Sequence, residues 1–156
     1  MCKLCKSVIG SEARNLLTDS TYIAIPDTTL TSMLDTLIIK TDFFSSQSFH
    51  EFIVNASIYV GLLANNIAIR SEKDQKRDST LGMKVIKKEY EVFLGLIEHY
   101  KDPILKDLLI TNFMNQLLKS GKEPINIVDD GVYNQIGNSV IRERFKTSVK
   151  ATMNKR

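Results

Sequence analysis

The most reactive side chains stand at the start of the chain, where Cys2-x-x-Cys5 gives two thiols the spacing of half a zinc site. A closed tetrahedral site needs two more ligands, and the histidines, His50 and His99, fall within helical patterns far along the sequence. The same pair could exchange with a disulfide or, beside Lys3 and Lys6, accept palmitate. Surface positions without special chemistry are the plainest reading, so neither metal nor cofactor is expected. Two thiols this close cannot staple a fold, and no apolar stretch follows Met1 as a secretory signal would. Both features predict the cytoplasm or another reducing intracellular compartment.

A second group that could do chemistry is Glu98, His99 and Asp102, which could pair a base with carboxylates. At helical spacing, however, His99 and Asp102 are neighbouring surface groups. The sequence contains no Walker loop, H-E-x-x-H, G-x-S-x-G or G-x-G-x-x-G. No catalytic residue is expected, and the chain is read as a binding protein rather than an enzyme.

Charge carries the remaining chemistry. The net charge of +3 is small for 156 residues, but residues 1–60 carry −2 and the rest therefore +5. The positive charge collects between Arg70 and Lys88 and again between Arg142 and Arg156. Arg142, Arg144, Lys146 and Lys150, with Lys84, Lys87 and Lys88, are the candidate nucleic-acid-binding residues, because such clusters can follow a phosphate backbone. The alternative reading of each cluster is a solvated helix face.

The elements that must position these groups are helical. Hydrophobic residues at 43%, charged residues at 25%, seven glycines and three prolines describe one globular domain over 1–156 rather than a many-turned sandwich. A short helix starts at Ser11 and ends near Asp19, after a flexible segment 1–10. The run Tyr22–Ile25 is extended and stops at Pro26. Asp27 or Thr28 then caps a helix with Leu30, Met33, Leu34, Leu37 and Ile38 on one face. Phe43 and Phe44 lie in a turn. Ser45 or Ser46 caps a long helix whose stripe is Phe49, Phe52, Ile53, Ala56, Tyr59, Val60, Leu63 and Ile67.

The uncharged stretch Phe52–Ile69 meets the lower length limit of a membrane span, about 17–25 residues. Asn55, Ser57, Asn65 and Asn66 make it a buried core helix instead, with no span. Residues 71–80 form a polar loop. A helix follows over Leu81–Lys101, with Ile86, Tyr90, Phe93, Leu94 and Ile97 inward. Asp102-Pro103 starts another, which ends at Gly121 and is apolar over most of its surface, from Leu105 to Leu118. Ile125–Val128 is an extended connector. Asp129 or Asp130 caps the last helix, whose buried stripe is Val132, Ile136, Val140, Phe145 and Val149, with the four C-terminal cations facing away.

Residues 20–60 resemble the ribbon–helix–helix family of DNA-binding regulators. The likeness rests on Tyr22-Ile-Ala-Ile-Pro26, a helix from Thr28, the turn Asp42-Phe-Phe-Ser-Ser-Gln-Ser48 and a second helix. It implies a two-stranded ribbon shared with a second copy of the chain and set in the major groove, with Ser20, Tyr22 and Ala24 facing bases. No Arg or Lys lies on that ribbon. The same residues also read as a connector and two bundle helices.

The expected fold is therefore all-α, a compact bundle of five or six helices joined by short extended connectors. The expected function is that of a nucleic-acid-associated regulator using the basic loop and the basic C-terminal helix. The alternative is a helical protein–protein adaptor or inhibitor presenting a groove or helix face. Self-association is open under either.

Overall fold

A long helix with a broad apolar face needs more than one neighbour, and that requirement organises the molecule. A computed structural model describes residues 28–40, 44–72, 81–119 and 131–154. The regular elements are α1 (Thr28–Thr36), α2 (Gln47–Glu72), α3 (Leu81–Ile97), α4 (Pro103–Lys119), a single turn α5 (Tyr133–Gln135) and α6 (Ser139–Met153). Every regular element among the described residues is helical, so the chain is an all-α bundle. Cys2, Cys5, the helix expected over 11–19, the run Tyr22–Ile25, residues 73–80, Gly121 and the 125–130 connector with its caps lie outside the described residues.

The 26 residues of α2 span about 39 Å at 1.5 Å per residue. Its expected stripe is buried from Phe49 to Leu63, and Ser57, Ala64 and Ala68 are buried as well. The widened face is explained by packing, because α2 lies against both α3 and α4. Ile67 departs from the expectation and is exposed, since the packed side of the last turns passes through Ala64 and Ala68.

At the centre, α2 and α4 approach closely enough that a methyl group on Gly61 would stand 3.0 Å from two ring carbons of Phe113. That ring is stacked on Phe93 of α3, with centroids 4.1 Å apart and planes at 12°. The Ser57 hydroxyl donates to the Leu109 carbonyl at 3.4 Å across the same crossing. Glycine at 61 is required by this close approach, not by its backbone angles.

The expected cap at Asp102 and first-turn proline at Pro103 are both present. Asp102 Oδ1 accepts the Leu105 N–H at 2.9 Å, and its backbone carbonyl accepts the Lys106 N–H at 3.2 Å. The new helix start also ends α3 at Ile97, four residues before the expected end at Lys101. Asp102 is buried, and its Oδ2 accepts the Ile39 N–H at 2.7 Å. One carboxylate thus caps α4 and anchors the non-helical 37–40 segment that follows α1 at Thr36, in which Ile38 is exposed.

The last helix is broken rather than continuous. Gly131, at φ +144°, opens a turn that a side chain would strain. Residues 136–138 leave helical geometry, and the Asn138 side chain accepts the N–H groups of Val140 and Ile141 to start α6 afresh. Val132, Ile136, Phe145 and Val149 are buried as expected, whereas Val140 sits in the first turn of the new helix and is exposed. Among the described residues no helix is long and apolar enough to cross a membrane.

Candidate docking groove

The sequence points to α6 as the working surface, and its four cations have different positions. Arg142 folds back on its own chain: Nε and one terminal nitrogen, Nη2, donate to the Ile136 carbonyl at 2.8 and 2.5 Å, and the same Nη2 reaches the Gly137 carbonyl at 3.4 Å. Lys146 donates to Glu143 at 2.7 Å and lies 5.6 Å over the Tyr133 ring. That pairing, chiefly its hydrogen bond, holds the Glu143 carboxyl below its ordinary pKa. Arg144 and Lys150 are exposed, with no hydrogen-bond or ion-pair partner among the described residues. On α3, Lys87 is exposed and Lys88 pairs with Glu91 at 3.7 Å, while the side chain of Lys84 lies outside the described residues. The cations expected to act together are therefore divided between internal and solvent-facing roles.

Glu98, His99 and Asp102 do not form an acid–base group. Glu98 and His99 are exposed, while Asp102 turns inward with both carboxylate oxygens taken by backbone N–H groups. No cluster of three or more metal-ligating side chains occurs among the described residues.

Among the described residues a concavity of about 550 Å³ lies between α3, α4 and the 135–137 turn. Leu94, Ile97 and Ile110 supply apolar floor, and Glu91 and Glu98 stand on its α3 side. The turn that closes it is held from two directions. Asp107 of α4, buried, accepts the N–H of Gly137 at 3.0 Å and of Asn138 at 2.7 Å. Arg142 of α6 takes the neighbouring carbonyls. Such charge-assisted bonds give the groove a fixed wall.

Electrostatically the groove runs against the chain as a whole. Glu91, Glu98 and Asp107 line it against one cation, Lys106, whose ammonium donates to the Glu98 backbone carbonyl at 2.8 Å. Gly95 lies between the two glutamates and is exposed, and a methyl group there would meet nothing within 4 Å. A helical glycine costs about 1 kcal/mol relative to alanine, and at Gly95 no neighbour among the described residues uses the space. The groove was missed by sequence reasoning because its parts come from three separated segments, and its one local sign is the glycine between two carboxylates.

Comparison with known protein families, curated proteins and solved structures finds no match to this chain.

Proposed function

We propose that the chain is a non-enzymatic adaptor or inhibitor that docks a segment of a partner protein in the groove between α3 and α4. The supporting observation is the groove itself: about 550 Å³, floored by apolar side chains, edged by carboxylates and bordered on one side by a clamped turn. Apolar concavities with a few fixed polar groups are the usual form of a binding site. Among the described residues the nucleic-acid regulator reading rests chiefly on Arg144, Lys150 and Lys87, each exposed, because Arg142 is bonded to its own backbone and Lys146 shares a surface pair with Glu143. Fewer free cations mean fewer neutralised phosphates and a weaker electrostatic contribution.

A display experiment tests the groove. Random peptides selected on the intact chain should include binders that the Gly95→Leu variant no longer retains, while its helical circular dichroism stays as in the parent. If every selected peptide binds Gly95→Leu equally well, or none is selected, the groove reading fails. A salt-titrated gel shift on mixed DNA and RNA, run beside it, addresses the other class. Binding at physiological salt that loses about 1.4–1.8 of its log–log salt slope in an Arg144→Gln/Lys150→Gln variant would put nucleic acid in place of the protein partner.

A further inference from the structure

Gly61 of α2 and Gly95 of α3 stand in opposite circumstances. At Gly61 the missing side chain is used by Phe113, whereas among the described residues nothing comes within 4 Å of the space above Gly95. Glycine weakens a helix relative to alanine, so an exposed glycine that no described residue packs against leaves room for a side chain from a partner. Glu91 lies four residues before Gly95 on α3, and Glu98 stands three after it, in the turn that directly follows the helix, so that all three line the same concavity. The glutamates are about 10 Å apart along the axis at 1.5 Å per residue. Both are exposed. Glu91 has Lys88 at 3.7 Å, a half-exposed pair that an incoming cation can share, and the Glu98 carboxylate has no hydrogen-bond or ion-pair partner among the described residues. Leu94 continues the apolar surface towards Ile97 and Ile110, and the buried carboxylate of Asp107 adds negative charge beneath it.

Resting on the groove reading above, we infer that the occupant is a basic amphipathic helix of a partner protein, seating one large apolar side chain on Gly95 between two cations that meet Glu91 and Glu98. The partner's cations must then stand seven residues apart, the spacing that returns to the same helix face after two turns. The apolar residue falls three or four positions after the first cation, according to whether the helix runs antiparallel or parallel to α3. The apolar residue supplies the contact area, and the glutamates set orientation and favour cationic partners over acidic ones.

Two synthetic helical peptides test this, each with two arginines seven residues apart and a leucine at either permitted position, followed by fluorescence anisotropy on the intact protein. One register should bind. Exchanging its arginines for glutamates should weaken binding about tenfold or more, and Glu91→Gln with Glu98→Gln about three- to tenfold, less at high salt. Gly95→Leu should remove binding while leaving the helical circular dichroism unchanged. Binding that Gly95→Leu blocks but neither charge change affects would overturn the basic partner and leave the groove standing. Failure of both dibasic peptides to bind, while display-selected peptides still require Gly95, would overturn the inference in the same way. Dibasic binding indifferent to Gly95→Leu would overturn the groove reading and this inference together.

Discussion

Asp107 and Arg142 grip the same turn from opposite sides: the carboxylate accepts the N–H groups of Gly137 and Asn138, and the guanidinium donates to the carbonyls of Ile136 and Gly137. A non-helical segment next to the core must place its backbone polar groups somewhere, and these two side chains take both kinds. The arrangement fixes where α6 begins and how the groove is closed. It also removes Arg142 from the solvent-facing set.

The role of Arg142 can be measured directly. Arg142→Gln should cost about 1–3 kcal/mol, because hydrogen bonds from a charged donor are lost at a half-buried turn. Arg142→Lys should recover only part of this, since an ammonium cannot reproduce the fork that spans both carbonyls. Arg144→Gln, on the exposed side of the same helix, should stay within about 0.5 kcal/mol. Urea denaturation of the three variants makes the comparison. Equal losses for Arg142→Gln and Arg144→Gln would show that the clamp contributes nothing.

Asp102 joins segments 63 residues apart, and its removal should be felt at both ends. Asp102→Ala should cost about 2–4 kcal/mol, combining the loss of a helix cap with an orphaned buried N–H at Ile39. Amide hydrogen exchange should rise at Ile39 and Leu105 together. Faster exchange at Leu105 alone would mean that the 37–40 segment is held by its apolar contacts instead.

Gly61 leaves little room for change. A methyl group would gain about 1 kcal/mol of helix propensity, but Phe113 is pressed against Phe93 and has little freedom to withdraw. Gly61→Val, larger and β-branched, should therefore destabilise by about 1–3 kcal/mol through overpacking. Adding Phe113→Leu to Gly61→Val should cost less than the two single changes combined, because the second relieves the strain of the first. Strict additivity in chemical denaturation would show that the two positions are not in contact.

How far the sequence carries is decided by distance along the chain. The stripe from Phe49 to Leu63 and the Asp102-Pro103 start are local signals, and both are read correctly because neighbours within one or two turns determine them. The break at 136–138 has local signs in Gly137 and in Asn138, which caps α6, but what holds its conformation lies elsewhere in the chain. Apolar spacing runs through Val132, Ile136 and Val140 as though one helix continued, and the group that interrupts it, Asp107, lies 30 residues upstream. For the same reason Arg142 reads like Arg144 in sequence, although one is bound to the backbone and the other faces solvent. Gly61 and Gly95 are likewise indistinguishable until Phe113 fills the space above one of them.

Tyr90 offers a test in which removing a polar atom should help. Its ring is buried and lies 6.4 Å from Phe113 in a near-parallel stack, but its hydroxyl has no hydrogen-bond partner among the described residues. Burial without a partner disfavours the phenolate, which pushes the Tyr90 pKa from 10.0 up to about 12. The unfolded chain ionises near pH 10 and the folded chain later, so between about pH 10 and 12 the unfolded state binds fewer protons and stability falls as pH rises. Tyr100 shifts in the same direction, through burial first and then the nearby negative charge of Asp35, and adds to the alkaline loss. Tyr90→Phe should therefore raise stability at neutral pH by about 1 kcal/mol, since an unpaired hydroxyl no longer has to be desolvated. It should also make stability decline less steeply above pH 10, with Tyr100 still contributing to the remaining slope. Chemical denaturation of parent and variant at neutral and alkaline pH reads both effects. A variant less stable than the parent at neutral pH would mean that the Tyr90 hydroxyl makes a bond that holds the core together.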